Sequence, residues 1–111
     1  MKYALLIYSS PELREIPEDQ LKSVIGEYEA ISEAPEVLDG MQLQGTESAT
    51  TVRVQNGEEL LSDGPFVDAK EFIGGLYLLE ADNLDAATAL AARVPAARMG
   101  GAVEVRPVVE R

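Results

Sequence analysis

Asp63-Gly64-Pro65-Phe66 is the first stretch whose residue types could do chemistry. A carboxylate beside a Gly-Pro turn has two roles open to it. Its oxygens can accept backbone N–H bonds across the turn. Alternatively, Asp63 faces a cleft between a sheet and a hairpin and acts as a general base or ligand acceptor. Gly64 suits a turn that needs a positive φ. Lys70 and Glu71 follow on what reads as a short helical turn, a solvated surface pair of little energetic weight. Arg98 stands beside Met99-Gly100-Gly101. Its planar fork matches a small carboxylate or phosphate, and equally matches the acidic side chains of its own surface. Arg53 and Tyr77 complete the candidate binding groups. The Tyr residues at 3, 8, 28 and 77 all sit on apolar stripes, where a packed ring with a satisfied hydroxyl is the ordinary role. Tyr77 is the one whose hydroxyl should be traced into a pocket.

What is missing narrows the chemistry further. The 111 residues contain no His and no Cys, which removes disulfides, thiolate or imidazole zinc sites and Ser–His or Cys nucleophiles. No metal and no cofactor is expected, and Gly74-Gly75 lacks the spacing of a phosphate-binding loop. The net charge of −11 argues against a nucleic-acid groove or an anionic membrane surface, both of which need Lys and Arg. That charge is uneven: residues 10–39 carry a net −7 and residues 90–111 a net +2. No signal segment opens the chain and no apolar run is long enough to span a bilayer, so the expected location is the cytoplasm.

The elements that must position these groups follow from periodicity. Lys2–Tyr8 reads as a strand apolar on both faces, with Tyr3, Leu5 and Ile7 against Ala4, Leu6 and Tyr8. A helix beginning near Pro17 carries Leu21, Val24, Ile25, Tyr28 and Ile31 on one stripe, and Pro35 ends it. Gly40 marks an exit and Met41–Leu43 a short strand. Asn56-Gly57 between two β-rich runs predicts a type I′ hairpin in which Gln55 faces Glu58, Arg53 faces Leu60 and Val52 faces Leu61. Gly74-Gly75 bends into a second two-faced strand, Leu76–Ala81. Asp82 or Asn83 caps a helix bearing Leu84, Ala87, Leu90 and Val94, which Val94-Pro95 closes. Val103–Arg106 alternates like an edge strand.

The order β-α-β, hairpin, β-α-β predicts one ferredoxin-like α+β domain over residues 1–111, its antiparallel sheet carrying a hairpin insert. Two helices cover one face of such a sheet. The other apolar face then needs a second layer, and a second copy of the chain supplies it, giving a homodimer.

Asp63–Glu71, followed by Gly74-Gly75-Leu76-Tyr77, resembles the YCII-related, or DGPFAETKE, family, with Val67, Asp68 and Ala69 in place of its usual Ala, Glu and Thr. The opening Lys2–Tyr8, Ala49–Arg53, Asp82–Ala87 and Pro95–Val108 extend the resemblance over the chain. It implies a dimeric α+β barrel whose sheets pack face to face, and no settled activity. Relatives carry a proposed His–Asp pair, the Asp directly before the Pro that follows the second helix. Here that position is Val94 and His is absent, so this chemistry does not transfer.

Two functions fit. One is a small-molecule-binding protein or enzyme with a pocket between sheet and helices near Asp63, taking a small acidic or apolar ligand. The other is a non-catalytic dimeric interaction module, sigma-factor-associated as some relatives are, acting through its acidic surface.

Overall fold

The computed structural model describes residues 1–9, 16–67 and 71–111, so Lys70 lies outside the described residues. Strand β1 (Lys2–Ser9) is followed by helix α1 (Glu18–Ser32) and strand β2 (Val37–Gln42). A hairpin of β3 (Thr50–Gln55) and β4 (Glu58–Asp63) precedes β5 (Phe72–Glu80). Helix α2 (Leu84–Ala91), a short α3 (Pro95–Arg98) and β6 (Ala102–Pro107) complete the described chain. The main sheet has the order β2-β5-β1-β6, antiparallel throughout. That is the ferredoxin-like arrangement expected, with β3-β4 standing apart as its own two-stranded ribbon.

The two-faced strands divide as their alternation requires. Tyr3, Leu5, Ile7, Tyr77 and Leu79 are buried and share one core with Ile31 of α1, with Ala87, Leu90 and Ala91 of α2, and with Val94 and Ala96. Each large aliphatic group buried there is worth about 1.5–3 kcal/mol. Ala4, Leu6, Tyr8, Leu76 and Leu78 point the other way and are only half-buried, because none of the described helices covers that face.

Local signals set most element ends. Asn83 caps α2, its Oδ1 accepting the Ala86 N–H at 2.9 Å. Pro17 sits one residue before α1, and its carbonyl accepts from the Gln20 and Leu21 N–H groups. At the hairpin tip Asn56 and Gly57 have φ of 52° and 78°, the double left-handed turn that Asn-Gly favours. The register pairs Gln55 with Glu58, Arg53 with Leu60 and Val52 with Leu61, as the sequence predicts.

Three expectations need correction. Strand β2 starts at Val37, not Met41, so Gly40 lies inside a strand. Strand β5 starts at Phe72, so Gly74 and Gly75 are strand residues and no bend separates them from Leu76. Helix α2 ends at Ala91, and Val94-Pro95 instead begins α3, with Pro95 in its first turn. Among the described residues no helix is long and apolar enough to cross a membrane.

Candidate functional site

Gly40 and Tyr77 are register partners on β2 and β5. A methyl group at Gly40 would lie 2.6 Å from Tyr77 Cδ1, so the missing side chain is what lets the aromatic ring lie against β2. Beside it, a methyl at Gly75 would lie 2.8 Å from the Met41 carbonyl oxygen, so glycine also sets how closely the two strands approach. Together they form the floor of a cleft of about 760 Å3 between the sheet and α1.

Helix α1 forms the opposite wall through Leu21, Val24, Ile25 and Tyr28. Val24 and Ile31 are buried, whereas Leu21 and Ile25 remain exposed. The apolar stripe read as core therefore splits: one edge packs on the sheet and the other faces the open cleft. Ala96 and Met99 close the far end. The lining is mainly apolar, and among the described residues Glu29 is its one charged member.

The two tyrosines of the cleft are linked. The Tyr77 hydroxyl donates to the Tyr28 carbonyl at 3.1 Å, an acceptor it shares with the Ser32 hydroxyl at 3.1 Å. Among the described residues nothing accepts the Tyr28 hydroxyl proton. Burial pushes that phenol above its ordinary value of 10.0, an effect partly offset by the nearby Ala96 backbone N–H. At neutral pH Tyr28 is thus a protonated phenol on the wall of an apolar cleft, suited to donating a hydrogen bond. From its spacing Tyr28 reads only as a packing residue, and its stripe position hides a hydroxyl at the edge of that stripe.

The residues singled out from the sequence do not converge. Tyr77 lies in the cleft floor, its hydroxyl turned into α1. Arg98 follows Ala96 along α3 but pairs at the surface with Glu27 of α1, and that hydrogen bond drives its guanidinium further up. Asp63 ends β4, is exposed, and lines neither this cleft nor the groove at the hairpin root. Among the described residues nothing donates to its carboxylate across the Gly64-Pro65 turn. Gly64 has the positive φ expected, 98°, and its N–H closes the ribbon on the Ala49 carbonyl at 2.7 Å. Arg53 lies on the ribbon with its guanidinium carbon 4.9 Å from the centre of the Phe66 ring, a cation–π contact. Val94 is fully buried in the core, so a carboxylate at that position would be desolvated among aliphatic groups.

Comparison with known proteins agrees with the fold described above. The fold is similar to that of 5-chloro-2-hydroxyhydroquinone dehydrochlorinase (TftG) from Burkholderia phenoliruptrix AC1100, solved in complex with 2,5-dihydroxybenzoquinone. The match has a TM-score of 0.58 at 15% identity, covering 100% of this chain and 96% of that one. An uncharacterised protein of Rhizobium meliloti (strain 1021) is 31% identical over 114 residues, covering 97% of this chain and 92% of that protein. The YCII-related domain matches residues 1–111, and the chain belongs to the YCII-related domain family.

Proposed function

We propose that the chain binds a small, neutral, largely apolar ring compound in the cleft between α1 and the sheet, as a homodimer joined through the uncovered sheet face. The observation that carries this is the cleft itself: about 760 Å3, mainly apolar, with a protonated Tyr28 phenol on one wall. The size suits one small organic molecule. A hydroxyl or carbonyl on the ring would accept from Tyr28, and Gln42 and Ser9 in the lining offer further polar contacts. Among the described lining residues an acidic ligand would meet Glu29 and no cation, and the mainly apolar lining favours the apolar half of the expected ligand class. The quinone bound by TftG lends support by analogy of fold alone.

Of the residues singled out from the sequence, Tyr77 serves this site by shaping its floor. Arg98 acts from outside it by fixing Glu27 of α1. Asp63 and Arg53 belong to the ribbon and would reach a site only by way of a second copy.

A thermal-shift panel of neutral dihydroxybenzenes and benzoquinones, with benzoate as the anionic control, tests the reading. A neutral ligand at a hundred times its Kd would stabilise the native state by about 2.7 kcal/mol. Ile25→Trp, which fills the cleft from α1, should abolish the shift while leaving the fold intact by circular dichroism. No shift across the neutral panel, or a shift unchanged in Ile25→Trp, would sink the proposal.

A further inference from the structure

We infer that the β3-β4 ribbon is an arm that docks its Val52, Val54 and Leu61 face on a second copy of this chain. This concerns a surface apart from the ligand cleft and stands independently of what that cleft binds.

The ribbon is amphipathic, and among the described elements it packs chiefly on itself. Register places Val52 opposite Leu61 and Val54 opposite Glu59, so these four share one face with Thr50 and Asp63. The reverse face carries Thr51, Arg53, Gln55, Glu58 and Ser62 around Leu60. Val54 is 66% exposed and Leu61 68%. The two strands pack chiefly on each other, and an isolated two-stranded ribbon is marginal in water. The arm therefore draws its stability from a surface outside the chain described so far.

Size identifies that surface. The chain exposes 7935 Å2, roughly 1,900 Å2 more than the ~6,000 Å2 expected of a self-contained 12.0 kDa monomer. A standard interface takes only about 800 Å2 from each partner, so the excess falls in the range of obligate homodimers. The radius of gyration, 15.9 Å, likewise exceeds the ~13 Å of a compact chain of this length.

The arm and the uncovered sheet face are also continuous. A groove of about 810 Å3 joins them, with Tyr8 and Ile73 at the sheet end and Leu43, Pro65 and Val67 at the arm root. One second copy can engage sheet, groove and arm together under two-fold symmetry. Asp63 lies at the base of the docking face, so the carboxylate of the Asp-Gly-Pro-Phe motif is set against the partner in the assembly.

Dimers assembled from isotope-labelled and unlabelled chains provide the test, through filtered nuclear Overhauser measurements on the arm methyl groups. Contacts between the Val52, Val54 and Leu61 methyls and the unlabelled chain are expected. The paired substitution Val52→Thr and Leu61→Gln should weaken dimerisation at least tenfold by sedimentation, with the monomer still folded by circular dichroism. A dimer that lacks those contacts, a dimer constant moved less than threefold by the pair, or a wild-type chain that sediments as a monomer would each overturn the inference. Ligand binding in the cleft survives any of these, since its thermal-shift readout is separate, whereas a monomeric wild-type chain would also remove the homodimer proposed with it.

Discussion

Tyr28 spans two environments at once, with its backbone in α1 and its phenol beside the cleft. Its carbonyl holds Tyr77 and Ser32, while burial keeps its hydroxyl protonated. The linkage has a definite sign: the folded state favours the neutral phenol, so the contribution is present below about pH 10 and is lost as pH rises through the raised folded value. Urea unfolding at a series of pH values above neutrality should therefore show an alkaline fall in stability that is shallower in Tyr28→Phe. An identical fall in the variant would show that Tyr28 is not perturbed by folding. The sequence could not reveal this role. Tyr28, Leu21 and Ile25 share the spacing of core residues, and periodicity records which face is apolar but not whether that face is closed.

At the scale of elements, legibility followed how local each signal is. Asn56-Gly57 demands a positive φ at both positions, so the hairpin and its register could be read directly. Strands β1 and β5 announced apolar residues on both faces through their apolar runs, and one of those faces is covered within the described chain. Strand β2 was harder, because Asp39 and Gly40 interrupt it and its pairing to β5 shifts register between Val37 and Asp39. The glycines of β5 read as a bend because their use is non-local: each makes room for the neighbouring strand. That use separates their substitutions. Gly75→Ala meets the Met41 backbone carbonyl, which moves only if β2 and β5 part, and should cost about 1–3 kcal/mol in urea unfolding. Gly40→Ala meets the Tyr77 ring, a side chain that can give, and should cost less stability but displace the cleft floor and weaken ligand binding. Equal stability losses with binding intact in Gly40→Ala would contradict this account of the floor.

For the molecule as a whole, the same surplus of apolar surface explains both the uncovered sheet face and the extended ribbon. The proposed self-association of a chain with net charge −11 would have to run through charge-poor patches, and Leu6, Leu76, Leu78, Val52 and Leu61 supply them. The motif around Asp63 that stood out in the sequence sits at the base of the arm, while the cleft is built by residues the motif does not contain. Fold class was therefore legible, as was a pocket between sheet and helices, but its lining and its distance from Asp63 were not, because its walls come from α1, β2, β5 and α3 brought together only by folding. The most direct measurement is a backbone-amide nuclear magnetic resonance titration of the full chain with a neutral dihydroxybenzene. Saturating shifts centred on Tyr28, Gln42, Gly75 and Ala96 are predicted; absence of shifts, or shifts confined to Thr50–Asp63, would contradict the placement of the site between α1 and the sheet.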